Sequence, residues 1–384
     1  MPDGDFSDAL QTVSRANDLF TADMLRVLAE GQGNLFFSPW SIQVILALAF
    51  LGAGGNTAKQ MARGLRLPED KNATEEGFSE ILQQLKESDD VILRVANRIF
   101  VKQNFTIKER FKQSAKKFMG AVEEMDFRDP GAAGVINSLV SEITNGRINQ
   151  VIGQGALGER TRMVLVNAVY FKGNWSIQFN KYLTEPLPFY RPSQPAKDVD
   201  TMLVRASFMY AEINELNSQV LLLPYKANRI SMLIILPREL NGLPDVEKNL
   251  TNVSLQDIVS RMYKPEVYVY LPKFKMEYAT SLSGPLTDLG MTEMFSEEDA
   301  DFSGISKKRL KVNAVYHKAF IEINEEGTEA AAATAVVVTL PPSPVRRTPP
   351  PPIVFKANHP FLFFILDQKT RAVLFAGRIS DPPS

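Results

Sequence analysis

The sequence predicts an α+β fold built as one unit of 384 residues. Three observations predict it. Helical periodicities crowd the first third of the chain, strand patterns fill most of the rest, and the two do not alternate in the rhythm of a parallel α/β sheet. No internal repeat or low-complexity linker divides the chain, so residues 1–384 are read as a single domain.

Taken in order, Leu10 to Glu30 carry apolar groups at helical spacing, through Val13, Ala16, Phe20, Met24 and Val27. Ser38-Pro39 supplies an N-cap followed by proline at the first helical position, opening a helix too apolar for any surface and ending near Gly52 to Gly55. Further helices are expected from Asn56-Thr57 to Leu65, over Thr74 to Glu87, over Thr106 to Phe118, and around Val135, Ile136, Leu139, Val140 and Ile143, stopped by Asn145-Gly146. Strands are expected at Leu93 to Val101, Val220 to Leu223, Ile230 to Leu236, Val267 to Leu271, Val312 to Asn324, Phe361 to Leu366 and Ala372 to Gly377. Arg162 to Phe171 is apolar on both alternating sets, which marks a strand covered on both faces.

Composition narrows the chemistry. A net charge of −1 opposes a general nucleic-acid binder, and the absence of cysteine removes disulfides and every thiolate site. With two histidines and no ligand cluster, a metal centre or a His-based triad has little material. Gly153-Gln154-Gly155-Ala156-Leu157-Gly158 matches a dinucleotide fingerprint in form only, because a strand pattern follows it where a helix is required. The longest apolar run, Val44 to Gly55, is too short to span a bilayer. No leader peptide is expected in Met1 to Asp5, which is polar and acidic.

The rest of the chain is organised around Glu325 to Phe361. Glu325-Glu326-Gly327-Thr328-Glu329 leads into Ala330, Ala331, Ala332 and Ala333, then into Thr334-Ala335-Val336-Val337-Val338-Thr339. Small and β-branched residues suit a crowded sheet, yet the next segment is proline-rich, lacks donors and must stay extended and exposed. A potential strand therefore runs straight into a stiff, cleavable loop.

Glu325 to Ala333 resemble, residue by residue, the inhibitory hinge of the serpins. Phe355-Lys356-Ala357-Asn358-His359-Pro360-Phe361 resembles the family's C-terminal signature, and Asn167-Ala168-Val169-Tyr170-Phe171-Lys172-Gly173-Asn174-Trp175 its central-strand signature. The resemblance covers almost the whole chain and points to an inhibitory serpin, with an extracellular invertebrate member as the expected kind. It implies about nine helices around three β-sheets and a reactive-centre loop at about 325–352. It also implies a shutter lined by Ser38 or Ser41, Asn167 and His317, and a breach marked by Trp175. The plain readings stand beside these: Ser38 as a helix cap, His317 as a core histidine, Trp175 as a buried anchor.

The implied function is suicide inhibition of a serine protease rather than catalysis. The protease acylates itself on the loop, the hinge enters the main sheet as a new strand, and the trapped enzyme is distorted before deacylation. The alternative is a non-inhibitory carrier, or an inhibitor of a protease without tryptic specificity. The family's usual count from Glu325 lands on Pro341-Pro342, a poor substrate bond. Arginine chemistry places the reactive bond at Arg347-Thr348, with Arg346-Arg347 second, and so implies a trypsin-like target. No cofactor is expected beyond a heparin-like glycosaminoglycan on the basic helix of Lys108, Arg110, Lys112, Lys116 and Lys117. A solvated helix face is the plain reading there, and Lys307-Lys308-Arg309-Lys311 is a second patch. Sequons at Asn72, Asn104, Asn174, Asn249 and Asn252 suggest a secreted glycoprotein, with a cytoplasmic protein as the alternative. A monomer without nucleic-acid or membrane partners is expected.

Overall fold

The computed structural model describes residues 6–31, 33–86, 91–328 and 352–383. Helix α1 (Asp8–Leu28) starts at the Ser7 cap, whose Oγ accepts the Leu10 N–H at 3.0 Å. After β1 (Leu35–Phe37), Ser38 caps α2 (Pro39–Gly52), with Pro39 at its first position. All but one of the α2 residues are buried, as an all-round apolar helix requires. Helices α3 (Gly55–Gly64) and α4 (Lys71–Lys86) follow, then β2 (Val91–Lys102), α5 (Glu109–Lys117), β3 (Ala121–Met125), α6 (Ala132–Ile143) and β4 (Met163–Asn174). Strands β5 (Glu185–Phe189), β6 (Lys197–Ser207), β7 (Met209–Ile213), β8 (Ser218–Pro224) and β9 (Ile230–Pro237) precede α7 (Leu243–Asn249) and α8 (Leu255–Ser260). Next come β10 (Glu266–Pro272), β11 (Phe274–Ser281), α9 (Ser283–Asp288), β12 (Val312–Ile323) and the two-residue β13 (Gly327–Thr328). Strands β14 (Ile353–Lys356), β15 (Phe361–Asp367) and β16 (Val373–Ile379) close the chain.

Among the described residues these make nine α-helices and three sheets, an α+β architecture. The sheet orders are β1-β16-β15-β9-β8-β7, then β14-β10-β6-β5, and the main sheet β11-β12-β4-β2-β3 with β13 on β4. One face of the main sheet joins the large core through Leu165, Val169 and Phe171. Its other face, through Val164, Val166, Ala168 and Tyr170, packs under Ile136 and Val140 of α6. That two-sided cover is why both faces of β4 are apolar from Met163 to Phe171, Asn167 excepted.

Two expectations need correction. The helix expected from Thr106 begins only at Glu109, because Ile107 pairs with Ser306 and the Lys108 N–H donates to Ile305 O at 2.8 Å. Tertiary pairing takes those residues from the helix. On α6, Val135 is 59% exposed, because Ile136 and Val140 form the face on the sheet and Val135 lies outside it.

Candidate functional site: a parallel seam and the hinge above it

In the main sheet β12 and β4 are neighbours and run parallel, from Val312 opposite Met163 to Phe320 opposite Tyr170. Midway along this seam sits a buried polar cluster. His317 and Asn167 are register partners, and His317 Nδ1 lies 2.6 Å from Asn167 Oδ1. A carbonyl oxygen only accepts, so Nδ1 carries the proton and Nε2 accepts the Ser38 N–H at 3.3 Å. Asn167 Nδ2 donates to Ser41 Oγ and to Asn97 Oδ1, and Ser38 Oγ donates to Leu374 O at 2.6 Å. Ser38 is thus cap and cluster member at once. Asn97 was missed from the sequence, although an amide inside the apolar run of β2 was a signal worth following.

Burial pushes the His317 imidazole down to about 3, so it stays neutral. Its folded value lies below the unfolded value of about 6.5. The stability it contributes is therefore complete above pH 6.5 and is lost as pH falls toward 3. Half-buried His359 is shifted the same way, so only a comparison isolates His317. Relative to His317→Gln, the native protein should lose about 2 kcal/mol of stability between pH 6.5 and 5. Urea unfolding at the two pH values measures it, and parallel pH profiles for the two proteins would refute it.

Above Phe320 and Tyr170 the seam opens and the chain folds back. Asn324 and Gly327 exchange backbone hydrogen bonds of 2.8 and 3.2 Å. Gly327 and Thr328 then pair antiparallel with Asn174 and Gly173. Gly327 has φ +145°, and a Cβ there would stand 2.2 Å from Gly173 O. Gly327→Ala should cost about 3 kcal/mol or more, a value that adds backbone strain to a clash with main chain. A wild-type midpoint of denaturant unfolding in this variant would refute the turn's importance.

The hinge is held from three sides. Trp175 donates its N–H to Glu326 O at 2.8 Å and its indole Nε1–H to Asn324 O at 3.0 Å, and the Phe179 N–H donates to Glu325 O at 2.9 Å. Trp175 itself is stacked on Tyr225, with ring centroids 4.5 Å apart. Buried Glu325 accepts from Thr184 Oγ1 at 2.8 Å and pairs with Lys273 at 3.1 Å. Burial alone would raise its pKa, but the hydrogen bonds from Thr184, its own N–H and Lys273 outweigh that and hold it below the usual carboxylate range. Glu326 pairs with Lys181 at 2.5 Å. Thr184, Lys273, Lys181, Phe179 and Tyr225 carried no sequence signal, since they come from three separate segments.

The other expected site residues divide. Glu329 to Ala333, Arg346, Arg347 and Thr348 lie outside the described residues. Lys108 sits at the N-cap of α5, Arg110 and Lys116 are exposed, Lys112 pairs with Glu109 at 2.8 Å, and Lys117 with Glu75 at 3.1 Å.

The family profile described as Serpin (serine protease inhibitor) matches residues 15–382. The chain belongs to the serpin family. Serpin B8 of Bos taurus is 40% identical over 97% of this chain and the whole bovine protein. The leukocyte elastase inhibitor of Xenopus tropicalis is 38% identical over 97% of this chain and all of its own length. Among solved structures, Serpin48 of the insect Tenebrio molitor, described as highly specific, superposes with a TM-score of 0.88 at 32% identity, covering 99% of this chain and all of that one. The buried polar cluster gathers Ser38, Ser41, Asn167 and His317, the residues expected at a shutter, and Trp175 is the residue expected at a breach.

Proposed function

We propose that this serpin is a suicide inhibitor of a trypsin-like serine protease. The observation that carries the reading is the short β13. It has already begun an antiparallel strand on β4, at the open top of a parallel seam. Parallel neighbours whose hydrogen bonds can be exchanged for two antiparallel ladders leave room for a further strand between them.

The register tells what insertion would bury. Thr328 stands opposite Gly173, so each following residue would meet the preceding residue of β4. Ala330 and Ala332 would face the core side with buried Phe171 and Val169, and Ala331 and Ala333 the α6 side with Tyr170 and Ala168. Only small groups fit between such neighbours. Glu329 would stand opposite Lys172 near the rim, Thr334 opposite Asn167, and Val338 opposite Met163 at the lower end of the strand. Insertion must first break the His317–Asn167 bond across the seam, which makes the shutter part of the kinetic barrier. A protease that has acylated itself on the loop would be dragged along this path before water attacks.

Cleavage after Arg347 leaves nine residues beyond Val338, about 30 Å of slack at ~3.3 Å per residue. That slack favours the carrier alternative. Incubation with trypsin decides: a stable covalent complex on a denaturing gel, releasing a peptide that begins at Thr348, is expected. Clipped chain alone would support the carrier, and a peptide beginning at Leu340 or Pro342 would move the reactive bond.

The basic face of α5 is kept as a proposed site for a heparin-like activator, supported by exposed Lys108, Arg110 and Lys116. Exposed Asn72, Asn104 and Asn252 support the secreted reading, while Asn174 is half-buried and paired in β4. Unglycosylated protein from a secretory host would favour the cytoplasmic alternative.

A further inference from the structure

We propose that Asn313 is a positioning residue whose side chain ties the foot of the β12–β4 seam shut, and so sets how deep the entering strand goes. The depth role rests on the insertion reading above; the tie does not.

The tie originates in a slip of alternation along β12. Leu310 and Val312 are buried, and so are Val315, His317 and Ala319. Core-facing positions are even up to Val312 and odd from Val315 onward, so one extra residue has to be taken up between them. The register shows the same event: Val312 stands opposite Met163, yet Ala314 rather than Asn313 stands opposite Val164.

A bulge leaves its extra residue out of the ladder, and here the side chain of that residue takes the ladder's place. Asn313 Oδ1 accepts the Arg162 N–H at 2.7 Å and, more weakly, the Met163 N–H at 3.4 Å. On its other side Arg162 O accepts the Lys102 N–H of β2 at 2.8 Å. Arg162 thus hangs between β2 and the Asn313 amide.

A second link crosses the same gap. Glu297 meets Lys311, just before β12, at 2.9 Å and Arg162 at 3.7 Å, but its side chain is 60% exposed. Exposed pairs of this kind contribute little and are screened by salt. The bond from half-buried Asn313 joins neutral groups and is not screened in that way, which makes it the stronger tie at physiological salt.

Strand entry runs from the hinge downward. By the register set at Thr328, Thr334 would reach Asn167 and the His317 bond, and Val338 and Thr339 would then arrive at Met163 and Arg162. Parting β12 from β4 by one strand width, about 4.8 Å, takes Asn313 out of reach of both N–H groups. The entering strand can satisfy those donors with its own carbonyls, as an antiparallel neighbour does. Asn313 therefore opposes the last step. Breaking the His317 bond governs whether the strand enters, and breaking the Asn313 bond governs whether it reaches the foot. A strand halted at Val337, opposite Val164, leaves about 7 Å more loose chain before the protease, at ~3.3 Å per residue. A looser tether gives water longer to release the acyl-enzyme, so depth sets the partition between trapped complex and clipped chain.

Incubation of native protein, Asn313→Ala and Asn313→Asp with trypsin reads that partition on a denaturing gel. Neither substitution touches a fully buried side chain, so both variants should fold. Asn313→Ala removes the acceptor and should raise the ratio of complex to clipped chain about fivefold, the worth of one hydrogen bond as a rate ratio. The rate of attack on the loop should stay native, because acylation precedes insertion. Asn313→Asp keeps an oxygen in place and should restore the native ratio. Hydrogen exchange of the uncut proteins checks the tie without a protease: the Arg162 amide should exchange at least about tenfold faster in Asn313→Ala than in the other two. Native exchange at Arg162 in Asn313→Ala overturns the tie. An unchanged or lowered ratio in Asn313→Ala, an equal rise in Asn313→Asp, or a native protein that leaves no clipped chain at all overturns the depth role. If no protein forms a complex and the clipped chain unfolds where the intact chain does, insertion itself has failed and the depth role falls with it, while the exchange result still decides the tie.

Discussion

Cutting the loop should raise the midpoint of thermal unfolding by on the order of 20 °C. In the intact protein β12 and β4 meet directly and only Gly327 and Thr328 have joined the ladder. After cleavage, residues 329–338 would add about ten residues with neighbours on both sides. Each added hydrogen bond is worth about 1 kcal/mol net, and the small apolar side chains bury further surface. The uncut loop cannot deliver this gain, because its far end is anchored at Ile353 in β14, beside Val267 of β10 in another sheet. On the insertion reading proposed above, the native form is a kinetic trap. Calorimetry of intact and clipped protein measures the difference, and coincident transitions would remove the mechanism.

Thr328→Arg should abolish the covalent complex while leaving fold and loop cleavage nearly unchanged. Thr328 stands opposite Gly173, at a register position on the core face that also holds fully buried Phe171. Burying an unpaired guanidinium there costs several kcal/mol, which is paid only on insertion. A race between insertion and deacylation is lost when the insertion barrier rises by that amount, since each 1.4 kcal/mol is about tenfold in rate. The expected product is clipped, unbound chain. A variant that still trapped trypsin at a wild-type ratio would show that entry of this strand is not what stops the enzyme.

Much of this was legible in the sequence, for identifiable reasons. Apolar residues on both faces of β4 announced a strand covered twice, because both faces are dry there. Ser38-Pro39 announced the start of α2, because capping is local chemistry. The turn at Gly327 was legible because its constraint is local as well: glycine stands where φ is positive. Short edge strands such as β3 and β5 were not read. Half-exposed and interrupted by charge or proline, they are strands only because β2 and β6 offer them a ladder.

The sequence by itself determined the class of fold and the family resemblance. Only the tertiary structure decided which groups hold Glu325 and Glu326 and what lies beside each basic stretch. Asn97, Thr184, Lys273 and Lys181 matter through partners between 52 and 145 residues away. Lys102, Arg162 and Lys311 form a row only once three strands are in register. Secondary structure is set largely by neighbours in the chain, whereas ion pairs and polar clusters are set by register between strands. That register is fixed by burial of the whole sheet, and no local pattern of residues records it.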